Sequence, residues 1–198
     1  MHKMVSWTLL CSGLALLQAT AIQAVLIPAG LPDGLYSISF DANGTATSEP
    51  VLLRAAHDPS SAIVRRQRGG GGKNRGGGGG GNNNNNPPPL PSTQSKCGGG
   101  PNLDIVQFAT AKARLQEECD KGKMYPRGQA IFFTEGRAMA YFCNYDAENR
   151  CWRREVEEAM AQIVAKCGLA KGGEIYVPQY DKSYGGDNAR DPKDVCTF

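Results

Sequence analysis

The side chains of this chain that carry the most chemistry are seven cysteines and two histidines, and their order narrows what that chemistry can be. His2 and His57 both precede the dibasic pair Arg65-Arg66, whereas Cys97, Cys119, Cys143, Cys151, Cys167 and Cys196 all follow it. A product that begins after Arg66 has no imidazole, so nucleophiles that need a histidine base are excluded from it. No two cysteines are spaced C-x-x-C, which argues against a zinc site, and an even set of six is expected to close three disulfides. Neither a metal nor a cofactor is expected. Carboxylates are what remain: Glu135, Asp146, Glu148, Asp181, Asp187, Asp191 and Asp194 are the groups that a glycosidase-like acid and base pair would have to come from. A disulfide domain of about a hundred residues seldom builds the cleft such chemistry needs, so these carboxylates are expected to be solvated and no catalytic residue is assigned.

The chain opens with Lys3, an apolar run over 5–17 and small residues at Ala19, Ala21 and Ala24. That pattern is a secretory signal over 1–24, since a spanning helix needs about 20 apolar residues. Export into an oxidising compartment agrees with the disulfide reading. Residues 25–66 lack cysteine, carry the sequon Asn43-Gly44-Thr45 and end at Arg65-Arg66, so they read as a propeptide with one glycan on Asn43 and a processing site at Arg65 and Arg66. Residues 67–96 hold a glycine run with Lys73 and Arg75, five asparagines and a proline cluster. Such a stretch offers little apolar surface to offset the entropy of ordering, and is expected to be a disordered tether.

The last segment, 97–198, has clear periodicities. Asn102 is expected to cap a helix with Ile105, Phe108, Ala109, Lys112, Leu115 and Cys119 inward, ended by Gly122. Two strands follow, over 129–134 and 137–145, turning at Glu135-Gly136. A second helix spans 152–167, with Trp152, Val156, Ala159, Met160, Ile163, Val164 and Cys167 on one side and Arg153, Arg154, Glu157, Glu158, Gln162 and Lys166 on the other. A third strand is expected over 174–177, and 194–198 is either a fourth or a tail tied down by Cys196. The fold class is therefore α+β: two helices packed on a small, mainly antiparallel sheet, stapled by three disulfides. Six cysteines allow fifteen connectivities. Geometry removes the pair Cys151 and Cys167, about 24 Å apart along one helix.

The formal charge of +3 does not describe this segment. From residue 97 onward 14 lysines and arginines stand against 15 acidic residues, and the excess sits at Arg68, Lys73, Arg75 and Lys96 in the tether. A nucleic-acid-binding face is not expected. The segment 176–188, with Tyr176, Tyr180, Asp181 and Tyr184 among glycines and a proline, is the expected binding loop, because tyrosines on a loop beside a rigid sheet make good contacts.

The signal, the dibasic site, the low-complexity tether and the six-cysteine segment together resemble the small secreted cysteine-rich proteins of filamentous fungi that mature through a kexin-type protease. Residues 136–143, the 152–167 helix with Gly168 and the 174–177 strand are loosely similar to killer-toxin-like and necrosis-inducing effector domains. Cys97-Gly98, the first helix and Tyr125-Pro126 are similar to small guanyl-specific ribonucleases, whose histidine this product lacks. The resemblance implies a monomeric secreted virulence effector that binds a host or competitor protein or cell-surface component without catalysis, outside or inside a host cell. A killer toxin acting on membranes or channels, and a degenerate or carboxylate-based secreted ribonuclease or glycan hydrolase, are the alternatives.

Overall fold

The structure, a computed structural model, describes residues 24–56, 89–98, 100, 102–190 and 193–198. The signal sequence up to residue 23, the Arg65-Arg66 pair and the glycine and asparagine runs lie outside the described residues. Eleven strands and two helices are described: β1 (Val25–Ile27), β2 (Gly34–Ser39), β3 (Val51–Ala55), β4 (Gln94–Cys97), α1 (Ile105–Cys119), β5 (Met124–Tyr125), β6 (Gln129–Glu135), β7 (Ala138–Asn144), β8 (Asn149–Arg150), α2 (Arg153–Cys167), β9 (Gly173–Val177), β10 (Lys182–Asn188) and β11 (Lys193–Val195). Seven strands form one sheet in the order β3-β2-β6-β7-β10-β9-β4, every neighbouring pair antiparallel. The expected α+β class with two helices and three disulfides is what the structure has. The sheet is larger than expected, because β2 and β3 extend it on one side and β4 on the other.

Side chains alternate across this sheet. One face carries Leu35, Ile131, Phe133, Ala140, Phe142, Ile175, Val177 and Tyr184, and both helices lie on it through Ala111, Leu115, Val156, Ala159, Met160 and Ile163. The opposite face carries Tyr36, Ile38, Ala130, Phe132, Met139, Tyr141 and Cys143, covered by the ribbon that β1 forms with β11. Strand β7 is buried along its whole length because both of its faces are covered, as its apolar residues on both sides predict.

The first helix is capped two residues later than expected. Asp104, not Asn102, accepts from the amides of Val106 (3.0 Å) and Gln107 (3.1 Å). Its inward stripe is rotated accordingly, to Ala111, Leu115, Gln116, Glu118 and Cys119, and leaves Ile105 and Ala109 exposed. The second helix buries Val156, Ala159, Met160 and Ile163 of its expected stripe, leaves Val164 exposed and takes Glu155 inward instead, and it stops at Gly168, whose φ of 100° favours glycine.

The disulfides pair Cys97 with Cys167, Cys119 with Cys151 and Cys143 with Cys196. They join β4 to the end of α2, the end of α1 to the start of α2, and β7 to the carboxy-terminal tail. Among the described residues no helix is long and apolar enough to cross a membrane.

Two boundaries drawn from composition do not coincide with boundaries of the fold. Residue 97 does not begin a self-contained unit, because residues 25–56 supply three strands and the buried side chains Val25, Ile27, Leu35, Tyr36, Ile38 and Phe40. The tether does not extend to residue 96 either. Gln94–Cys97 pairs with β9, and upstream of it Leu90 donates its amide to Glu158 (2.7 Å) while Thr93 donates its hydroxyl to Gln162 (2.7 Å). Two residues of the polar stripe of α2, Glu158 and Gln162, therefore dock the residues that lead into β4.

Candidate functional site

The segment 176–188 is a β-hairpin rather than a loop. Strands β9 and β10 pair from Gly173 with Gly186 to Val177 with Lys182, and residues 178–181 make the turn, with Asp181 at φ 49°. The composition that suggested a loop, Gly185-Gly186, has a packing cause. The ring of Tyr141 from β7 lies across Gly185 on one face and the ring of Phe108 from α1 lies across Gly186 on the other, so a Cβ at either position would collide with a ring.

This hairpin splits the expected contact residues. Tyr184 is fully buried on the helix face, where its hydroxyl donates to Glu155. It cannot be a contact residue. Tyr180 is partly buried against the same core, and Lys182 stands over its ring at 4.9 Å. Tyr176 lies on the other face, donates its hydroxyl to Asp181 and stacks on Phe198 at 5.1 Å. Its hydroxyl is pushed up to about 12 by burial first, then by Asp181. Of the four residues only Tyr176 and Asp181 are together.

Beside Tyr176, on the same face, is a cleft of about 310 Å³ lined by Lys96, Tyr141, Glu174, Asp187, Lys193 and Thr197. Strand alternation assembles it: Glu174 is two residues before Tyr176 on β9, Lys96 on β4 is its cross-strand partner, and Asp187 on β10 is opposite Met139 on β7. Two disulfides anchor its walls, Cys97 to Cys167 at β4 and Cys143 to Cys196 beneath the tail that carries Thr197. Gly98 and Gly172 let backbone approach Asp187 closely, since a Cβ on Gly172 would stand 2.9 Å from its carboxyl carbon.

The two carboxylates here have different states of engagement. Glu174 is 3 % exposed and both its oxygens are taken: Oε1 accepts from Tyr145 (3.0 Å) and Ser183, and Oε2 from the Thr197 amide (3.1 Å) and hydroxyl (2.9 Å). Four donors leave it no free lone pair to act as a base. Asp187 accepts from the Asn188 amide (2.7 Å) and faces the Lys193 ammonium at 3.9 Å.

Tyr141 differs from both. It is 3 % exposed and lines the cleft, and its hydroxyl makes no hydrogen bond to the described residues. Burial, with Glu174, Asp187 and Tyr145 adding to it, holds that hydroxyl well above the usual tyrosine range. It is a protonated group, free to donate and to accept. Among the described residues, the buried side-chain atoms left without a partner are on Arg54, Tyr125, Asn144 and Arg150 and not on Tyr141; the Tyr141 hydroxyl belongs to the lining of the cleft and offers a bound molecule one donor and one acceptor there.

The remaining carboxylates do not converge. Asp146 and Glu148 are exposed after β7, Glu135 is at the β6–β7 turn, Asp194 is exposed at the cleft rim, and Asp191 lies outside the described residues. No group of three or more metal-binding side chains gathers among the described residues. Asn43 is exposed on the turn after β2, held by its amide donating to Asp41 (2.9 Å). The sequence pattern assigned Tyr141, Glu174 and Lys193 no role and placed Lys96 in the tether. The one signal available was the glycine pair, which reads as a loop until a facing aromatic ring is known. No family model, curated protein or solved structure matches the chain.

Proposed function

We propose that this chain is a secreted, disulfide-stapled, effector-like protein that binds a host or competitor target without catalysing a reaction on it, and that the Tyr141 cleft is its contact surface. The observation that carries the reading is the Tyr141 hydroxyl, which makes no hydrogen bond to the described residues and belongs to a cleft that the Lys193–Asp187 pair and the fully engaged Glu174 also line. That is an arrangement for recognising polar groups. Of its two inner carboxylates, Glu174 is committed to four donors and Asp187 accepts from the Asn188 amide and faces Lys193, an arrangement that supports binding of polar groups. The stacked pair Tyr176 and Phe198 extends the cleft with aromatic surface, the kind of residue enriched in protein interfaces.

Three disulfides fit a protein that works outside the reducing cytosol. Within the same reading, a protease that recognises paired basic residues cuts at Arg65-Arg66, Asn43 carries a glycan, the protein acts as a monomer, and its partner is a protein or cell-surface component rather than nucleic acid.

The test compares the exported protein with its Tyr141→Phe form on plant tissue and on competing fungi. With no partner for the hydroxyl among the described residues, the variant is expected to fold with stability unchanged within about 0.5 kcal/mol. Its potency should fall about tenfold, the worth of one buried hydrogen bond of about 1.4 kcal/mol. Equal potency removes the cleft from the account. Turnover of RNA or cell-wall polysaccharide by the purified protein removes the non-catalytic reading, and leakage from liposomes replaces it with a membrane toxin.

A further inference from the structure

Residues 25–56 have the sequence of a discarded segment and the structure of a central one. Strand β2 lies between β3 and β6, and its pairing with β6 runs unbroken from Gly34 with Thr134 to Ser39 with Gln129. Its side chains enter both cores: Leu35 on the helix face, Tyr36 and Ile38 on the other, with Tyr36 stacked on Phe132 at 5.3 Å. Strand β1 pairs with β11, and Val25 and Ile27 complete the cover over Met139 and Cys143. Further bonds seat the segment. The Gly136 amide donates to Asp33 (2.7 Å), the Thr134 hydroxyl to Pro32 (2.9 Å) and the Phe40 amide to Gly128 (2.7 Å), while Arg54 lies 3.8 Å from Glu118.

Yet nothing covalent would hold this segment once the chain is cut at Arg65-Arg66. All three disulfides lie within 97–196, and residues 25–56 contain no cysteine. Departure would leave the backbone of β6 unpaired along an edge and uncover Phe132, on which Tyr36 stacks, together with the face that carries Met139 and Cys143. Exposed strand edges and apolar faces of this kind are what folded proteins avoid.

We propose that processing at Arg65-Arg66 converts the protein into a stable non-covalent two-chain assembly, in which residues 25–56 are retained as a donated set of strands. Strand donation suits the geometry: main-chain bonds to β6 supply affinity, and alternate side chains on the two faces supply register. The cut relieves the segment of its tether without moving it, so the dibasic site frees the tether's new end rather than releasing a propeptide. This inference does not depend on the Tyr141 cleft.

The test uses the full chain with part of the 69–81 glycine run replaced by the recognition sequence of a specific protease, so that complete scission is assured and verified by mass after denaturation. In native buffer the cut protein is expected to elute as one species containing both pieces, with the circular dichroism of the uncut chain. Urea should separate the pieces. An Ile38→Ala form, milder than a charge substitution, should fold while joined and release a larger fraction of the short piece after the cut, because scission replaces a high effective concentration with a bimolecular equilibrium. Elution of the short piece by itself in native buffer, beside a folded large piece, overturns the proposal. For material recovered from culture medium, two amino termini in equal amounts from one native species agree with it. A product lacking residues 25–56, or an undivided chain, contradicts it.

Discussion

The buried ion pair of this protein is a residue-scale feature with consequences of its own. Lys182 and Glu155 stand 2.7 Å apart with side chains each 3 % exposed, and the Tyr184 hydroxyl donates to the same Glu155 oxygen. Lys182 also donates to the Arg150 carbonyl (3.2 Å). Removing one partner leaves a buried, uncompensated charge, so Glu155→Ala is expected to destabilise the protein by about 3–5 kcal/mol. The double form Glu155→Ala/Lys182→Met should recover part of that loss, a comparison read by urea unfolding. Buried tyrosines govern the alkaline limit. Burial first, and nearby carboxylates second, raise Tyr125, Tyr141, Tyr145 and Tyr184 above their usual range. Their stabilisation is complete below the unfolded tyrosine value of about 10 and is lost as pH rises above it. Lys182 is shifted down by burial, with Glu155 opposing, so it contributes the opposite sign, gaining stability as pH rises towards the unfolded lysine value. One lysine against four tyrosines leaves a net fall above about pH 10. Thermal melts across that range should show the midpoint dropping, with the tyrosinate absorbance of these four appearing together with unfolding.

At the scale of elements, what could be read from sequence was what depends on local periodicity. The β6–β7 hairpin follows from its alternating apolar residues and from Gly136, which sits at φ 55° in the turn. Helix α2 follows from Val156, Ala159, Met160 and Ile163 recurring on one side. Strand β10 was not legible, because the two glycines that mimic a loop are there to admit rings from β7 and α1, and those contacts span the whole sheet. Glu155 shows the same limit: helical spacing places it between the two stripes, and only Lys182 on β10 gives it a reason to be inside. Strand β4 was lost inside low-complexity sequence. Its anchorage depends on one bridge, Cys97 to Cys167, together with pairing to β9. Replacing both cysteines by alanine is expected to cost about 2–5 kcal/mol. It should also speed amide exchange in Gln94–Cys97 and β9 more than in β6, which hydrogen-exchange mass spectrometry reads directly.

The whole molecule is a seven-stranded sheet with helices on one face and a strand ribbon on the other, and its polypeptide enters that sheet from four separated stretches, β2–β3, β4, β6–β7 and β9–β10. Composition divided the chain at its paired arginines and its glycine run, and cysteine placement favoured the later half as self-sufficient. Packing overrides that division, because a sheet face must be covered and a central strand paired wherever in the chain the covering residues lie. The candidate site was hidden for the same reason, since its lining comes from β4, β7, β9, β10, β11 and the carboxy-terminal tail. The most direct test of this architecture is native-state hydrogen exchange on the full-length protein, comparing the amides of β2 with those of β6 and β7. If residues 25–56 belong to the cooperative unit, Leu35 to Ser39 exchange only through global unfolding, as slowly as Ile131 to Phe133. Exchange of the β2 amides through local opening, orders of magnitude faster than the β6 core, would contradict the account.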